Sequence, residues 1–66
     1  MKSKNQKSEI YKIDLYYNDE SKSSAKIRVE QFADALMIAR GWMMVAVEGE
    51  HVEIWWKGCL MQIYVK

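Results

Sequence analysis

His51 and Cys59 are the two side chains of this 66-residue chain that suit nucleophilic catalysis. An imidazole within hydrogen-bond reach of a thiol activates it as a nucleophile. The two residues lie at opposite ends of one predicted strand, 51–57, which separates them by about 20 Å at about 3.3 Å per residue. We therefore expect no dyad within one chain and predict no catalytic residue, while a dyad shared between two copies stays open.

Glu48, His51 and Glu53 form a second group with chemical capacity, because all three fall on one face beside a predicted turn. Zinc and related divalent ions accept carboxylate and imidazole ligands. The spacing matches no specific metal motif, and a solvated hairpin end with Glu48, His51 and Lys66 as a charge row explains it as well. We expect no metal ion and no other cofactor.

The order of elements around the histidine resembles the small messenger-RNA-cleaving toxins of the hic type. A predicted helix ends in Gly41-Trp42, a strand follows, and Gly49-Glu50-His51 opens a second strand. The matching stretch, Leu36 to about Val65, is roughly half of the chain. The resemblance implies a ribonuclease in which His51 is catalytic, although Glu50 stands where the family usually has serine. Such a ribonuclease is kept as an alternative function.

The tract 42–66 carries the most informative pattern in the chain. Gly49-Glu50 and Gly58-Cys59 divide it into three strands, 42–48, 51–57 and 60–66, because glycine suits the first central position of a type II′ hairpin turn. In the register that these turns impose, one face is wholly apolar and predicts a core. Its nine residues are Met43, Val45, Val47, Val52, Ile54, Trp56, Met61, Ile63 and Val65.

The opposite face of this predicted meander is aromatic near Gly58 and charged near His51. One helix covers only one face, and an uncovered aromatic face is typical of a partner-binding surface. We predict a small protein-interaction module, an accessory or inhibitor-type protein of the phage-like kind, that binds a protein partner or its own copy as a homodimer. The predicted binding residues are Trp42, Met44, Trp55, Leu60, Gln62 and Tyr64.

The same aromatic side chains suggest single-stranded nucleic acid as an alternative ligand. Bases stack on aromatic residues of sheet faces, and Lys57 and Lys66 lie near them. Two glutamates on that face oppose phosphate binding, and a net charge of +1 adds little attraction. Nucleic acid is therefore not the favoured partner.

Composition is consistent with a small cytoplasmic domain that associates with a partner. Half of the residues are hydrophobic, which is more than one small core easily hides. A single cysteine excludes an intrachain disulfide and fits a reducing compartment. The longest apolar run, 42–47, is far too short to span a bilayer, so no membrane contact is expected.

The remaining segments complete the predicted fold. Residues 1–8 are polar and basic and predict a flexible tail, and 9–66 form one domain. Glu9–Tyr17 alternates as a half-buried strand. We expect it at a sheet edge, either beside 42–48 or 60–66 or at an edge shared with a second subunit. Residues 25–29 are either a short strand or an extended lead-in to the helix.

The helix is predicted at about 30–40, with Gly41 as its C′ residue. Its apolar stripe contains Phe32, Ala35, Leu36 and Ala39, which recur at helical spacing. The expected architecture is α+β with two layers, an antiparallel sheet of four or five strands with one helix on one face.

Overall fold

The structure is a computed structural model that describes residues 8–66. The element order is β1 (Glu9–Tyr16), β2 (Lys22–Val29), α1 (Phe32–Val45), β3 (His51–Trp56) and β4 (Cys59–Val65). The strands form one antiparallel sheet in the order β2-β1-β3-β4, and α1 packs on one face. The predicted α+β class, with one helix on an antiparallel sheet, is confirmed, and the sheet has four strands where four or five were predicted. Apart from Ser8, the tail predicted for residues 1–8 lies outside the described residues.

β1 lies in the centre of the sheet, so its predicted place at an edge is wrong. Residues 22–29 form a full strand that pairs with β1 as a hairpin. The other side of β1 pairs with β3, with Ile13 opposite Ile54. β1 can take this place beside β3 because residues 42–48, which the sequence predicts as the neighbour of β3, form no strand. The alternation of β1 then turns Tyr11, Ile13 and Leu15 towards α1, where all three are buried.

α1 continues beyond the predicted end at about residue 40 and reaches Val45. The predicted strand 42–48, and with it the three-stranded meander of 42–66, is therefore wrong. Gly41 lies inside the helix instead of following it. The apolar stripe continues at helical spacing through Trp42 and Met43, which pack against the core. Their burial offsets the cost of an internal glycine, which is about 1 kcal/mol.

The β3–β4 hairpin turns at Lys57-Gly58, one residue earlier than predicted. The φ angles of Lys57 and Gly58 are 51° and 79°, and Trp56 pairs with Cys59 across the turn. Two successive positive φ angles are the signature of a type I′ turn, which twists in the same sense as the strands that it joins.

The earlier turn, together with a β-bulge, changes the register of β4. Beyond the bulge, Ile54 pairs with Gln62 and Glu53 pairs with Ile63, whereas the sequence predicts Ile54 opposite Ile63. A shift of one residue exchanges the two faces of a strand. Ile63 therefore lies on the face that α1 does not cover, and Gln62 lies on the covered face.

The core forms between α1 and the inward side chains of β1 and β3. Of the nine residues predicted for the core, Val52 and Ile54 are fully buried, and Met43 and Trp56 pack against the cluster. The remaining five are exposed because the helix is longer and the register of β4 is shifted: Val45, Val47, Met61, Ile63 and Val65.

Candidate binding surface

The sheet face opposite α1 combines aromatic, basic and apolar side chains in ordered rows. The strand pairings set its rows, so that side chains from β2, β1, β3 and β4 follow one another across the sheet. We call this surface the helix-free face. It contains Lys22, Ser24, Lys26, Arg28, Ile10, Lys12, Asp14, Tyr16, His51, Glu53, Trp55, Leu60, Ile63 and Val65.

Two of the six predicted binding residues, Trp55 and Leu60, lie on the helix-free face as a cross-strand pair. Trp42 and Met44 are instead in α1, where Trp42 packs against the core and Met44 is exposed. Their predicted place on the sheet is wrong because the strand that would have carried them is helical.

Gln62 and Tyr64 are also misplaced by the predicted register. They pair with Ile54 and Val52, both of which face α1, so they lie on the helix side of β4. Tyr64 is half-buried against the core. The six predicted residues therefore do not share one surface.

A shallow hollow surrounds Trp55 on the helix-free face. Its lining, which defines the Trp55 hollow, is Ile10, Lys12, Lys26, Trp55, Lys57 and Gly58. The Lys12 ammonium lies 5.9 Å from the centroid of the Trp55 ring, within the range of a cation–π contact. The indole Nε1–H donates a hydrogen bond to Glu53 at 2.9 Å, which fixes the ring. The hollow thus combines an oriented aromatic ring with lysine side chains, of which Lys57 directs its ammonium to the Trp56 ring on the helix side of the sheet, 4.8 Å from the ring centroid.

The buried Asp14 carboxylate stabilises two of the basic side chains on the helix-free face, Lys12 and Lys22. It is 1% exposed and accepts a hydrogen bond from the Ser24 hydroxyl at 2.6 Å. Its other oxygen lies 3.6 Å from the Lys12 ammonium and 3.8 Å from that of Lys22. A buried carboxylate needs such partners, so Asp14 holds two lysines over the sheet.

His51 lies at the far end of the same face. Its ring stacks on Tyr16 with centroids 4.6 Å apart, and its Nε2 lies 3.2 Å from a Glu53 carboxylate oxygen. Cys59 lies beside the turn at the opposite end of the hairpin, as the sequence predicts. Within residues 8–66, no group of three His, Cys, Asp or Glu side chains is arranged to hold a metal ion.

Lys12, Lys26 and Ile10 belong to the hollow but are not among the residues predicted from the sequence, and the two lysines carry its charge. Each alternates with inward side chains of its own strand, which places it on the outer face. Their proximity to Trp55 depends on the pairing of β1 with both β2 and β3, in which Lys12 lies opposite Lys26 on one side and opposite Trp55 on the other. The alternation of β1 and β2 predicts that these lysines face outwards, but only the order of the strands shows that they lie near Trp55.

No protein-family model, no curated protein and no solved structure matches this chain. The resemblance to hic-type toxins also loses its pattern in the fold, because Trp42 lies inside α1 and no strand forms between Trp42 and Gly49. In the described part of the chain, no helix has the length and hydropathy that crossing a membrane requires.

Proposed function

We propose that this protein is a small non-catalytic binding module that takes an acidic segment of a protein partner at the Trp55 hollow, within the helix-free face. The observation that supports this is the Trp55 hollow, where Lys12 and Lys26 lie beside a half-buried indole. Binding centres in protein interfaces are enriched in tryptophan and ringed by polar groups. A partner with carboxylates beside an apolar side chain matches both parts of the hollow.

The charge around the hollow favours an acidic partner. Lys22 and Arg28 continue the basic row along β2, and both are exposed. The acidic groups of this face are already engaged, Asp14 with Ser24 and Glu53 with the indole. Exposed ion pairs contribute little affinity individually, but a surface of one sign steers a partner of opposite charge and raises the association rate.

Apolar contact supplies the rest of the proposed interface. Leu60 lies directly opposite Trp55 on the neighbouring strand, and Ile10 closes the other side of the hollow. Both are exposed, so a partner side chain that packs on Trp55 removes them from water as well. We place this accessory role in the cytoplasm, where the exposed thiol of Cys59 persists in its reduced state.

Affinity capture with purified protein, followed by titration of the captured partner, tests the proposal. Trp55→Ala and Lys26→Glu should each weaken binding by about tenfold or more, equivalent to ~1.4 kcal/mol. Arg40→Glu is the matched control, because it makes the same charge reversal at an exposed position of α1. Its affinity should stay within about twofold of the wild type. Equal affinity for folded Trp55→Ala and wild-type protein would overturn the proposal.

Single-stranded nucleic acid remains a second candidate ligand, because two aromatic rings on this face each have a lysine ammonium near them. Lys22 lies 5.4 Å from the Tyr16 ring centroid, and Lys12 lies over Trp55. Such pairs suit a base and its phosphate. A titration with an oligothymidylate, monitored by the NMR signal of the Trp55 indole, distinguishes nucleic acid from an acidic protein segment as the ligand. Trp55-dependent binding that weakens steeply with salt would favour nucleic acid over the acidic protein segment.

A further inference from the structure

The two edges of the sheet differ in charge. β2 forms one edge and presents Lys22, Lys26 and Arg28. β4 forms the other edge, and its segment Cys59–Val65 contains no charged residue and no proline. Lysines on edge strands prevent edge-to-edge pairing, so β2 is protected and β4 is not.

The backbone of β4 has hydrogen-bonding groups directed away from the sheet. The Lys66 N–H donates to the Glu50 carbonyl oxygen at 2.8 Å, so Lys66 bonds towards β3. Bonding direction alternates along an antiparallel strand, which leaves the N–H and C=O groups of Ile63 and Val65 directed outwards. No strand among residues 8–66 pairs with them.

Exposed apolar side chains flank this edge on both sides of the sheet. On the helix-free face, Ile63 is 43% and Val65 is 71% exposed. On the helix side, Met44 is 81% exposed at the end of α1 and lines a groove with Tyr64. A strand added to β4 therefore gains backbone hydrogen bonds and covers apolar surface above and below the sheet.

We propose that β4 pairs antiparallel with β4 of a second copy, about a two-fold axis at Tyr64, and joins the two sheets into one. In this register Ile63 lies opposite Val65 of the partner subunit, and the reverse pair is identical. All the outward backbone groups of the regular part of β4 then bond, giving about four hydrogen bonds.

Self-complementarity is the reason for assigning a second copy to this edge. An uncharged strand brings no like charges together when it meets itself, whereas two copies of β2 would place lysines and arginines opposite one another. The β-bulge between the Ile54 and Trp55 pairs limits the regular edge to the end near Lys66, which selects Tyr64 as its centre.

The dimer is independent of the proposed partner binding. The Trp55 hollow has no lining residue from β4, so it stays open when the edges pair. A two-fold axis perpendicular to the sheet places both hollows on the same side of the joined sheet. A partner with two acidic segments would then bind both sites, with a gain in avidity.

Sedimentation equilibrium from about 10 µM to 1 mM protein tests the dimer, for which a small interface predicts a Kd of about 10–100 µM. Ile63→Lys should raise the Kd by about 100-fold or more, because it places two charges at the seam. Ile10→Lys is the matched control: it makes the same substitution on the same face at a similar exposure of 47%, but on β1. It should dimerise like the wild type.

Val65→Pro supplies a second, backbone-specific test. Proline removes the outward N–H, and this N–H makes no bond to β3, so the monomer should keep its fold and its near-ultraviolet circular dichroism. Dimerisation should be lost. The proposal would be overturned if the wild-type protein stays monomeric at about 1 mM. It would also be overturned if Ile63→Lys dimerises like Ile10→Lys.

A spin label on Cys59, the exposed free cysteine of the described chain, tests the register. Cys59 lies five residues from the proposed axis, so the two labels should be about 33 Å apart along the strands. A main distance below about 20 Å would contradict the axis at Tyr64. Partner binding should survive in Ile63→Lys, which distinguishes failure of the dimer from failure of the proposed function.

Discussion

The Glu50 carboxylate accepts a hydrogen bond from the backbone N–H of Asn18, at 3.2 Å and across 32 residues of chain. Its second oxygen accepts from the Val47 N–H at 3.0 Å, and the side chain is buried. Asn18 in turn donates its side-chain amide to the Glu48 carbonyl oxygen at 3.0 Å. The β1–β2 turn and the connection from α1 to β3 are thereby fixed to each other at the His51 end of the sheet.

Glu50→Ala should therefore destabilise the fold more than most surface substitutions. It leaves two backbone N–H groups without their charged acceptor, and we expect a loss of about 2–3 kcal/mol in the free energy of unfolding. Urea denaturation measures it. Glu48→Ala is the matched control, because the Glu48 side chain is exposed and only its carbonyl oxygen bonds Asn18. The control should change stability by less than about 0.5 kcal/mol. Equal losses for both variants would contradict this role for Glu50.

Local periodicity was sufficient to predict the fold class, but it placed the end of the helix wrongly. β1 alternates clearly, and Phe32, Ala35 and Ala39 recur at helical spacing. The sequence predicts that the helix ends before Gly41, because glycine commonly ends helices. Tertiary contact overrides that preference, since Trp42 and Met43 pack on the core only if the helix continues.

Gly41→Ala should consequently stabilise the protein. Apart from its chain neighbours and the backbone of its own helix, no atom lies within 4 Å of a Cβ built at this position, and the residue is inside α1. Alanine gains about 0.8–1 kcal/mol over glycine in a helix interior. Gly49→Ala is the contrasting variant, because Gly49 has φ +93° and its Cβ would lie 3.0 Å from the Asn18 side chain. Thermal unfolding should show a higher Tm for Gly41→Ala and a lower one for Gly49→Ala. A fall in Tm for Gly41→Ala would contradict the continuous helix.

The candidate site was less predictable, because it depends on register and strand order. A type I′ turn with lysine at its first central position is unusual, so the glycine of Gly58-Cys59 was assigned to that position instead. The resulting shift exchanged the faces of β4 and moved Tyr64 to the wrong side. Lys26 joins Trp55 only through β1, and that pairing connects residues far apart in the sequence.

Lys57→Asn should separate stability from binding. Lys57 has φ +51°, a conformation that costs most residues about 1 kcal/mol and that asparagine adopts more readily. The substitution also loses the contact between the Lys57 ammonium and the Trp56 ring, 4.8 Å from its centroid, which is worth about 0.5 kcal/mol at an exposed site. We expect a net stabilisation of about 0.5 kcal/mol in urea denaturation. Partner affinity should stay within about twofold of the wild type, because the Lys57 ammonium lies on the Trp56 side of the sheet. A loss of affinity of about tenfold or more would show instead that this ammonium takes part in the interface.

Asp19 provides a prediction for pH. Hydrogen bonds from the Ser21 hydroxyl and from the Ser21 backbone N–H lower the pKa of this carboxyl below its ordinary value. A lowered pKa in the folded state contributes stability above the ordinary pKa, and this contribution is lost as the pH falls through the folded pKa. Ser21→Ala removes the hydroxyl and should raise the pKa of Asp19, measured by carboxyl-carbon NMR titration. Ser23→Ala is the control, since the Ser23 hydroxyl bonds Tyr17 instead, and it should leave the titration of Asp19 unchanged. An Asp19 titration that is the same in Ser21→Ala and wild-type protein would show that the Ser21 hydroxyl does not set this pKa.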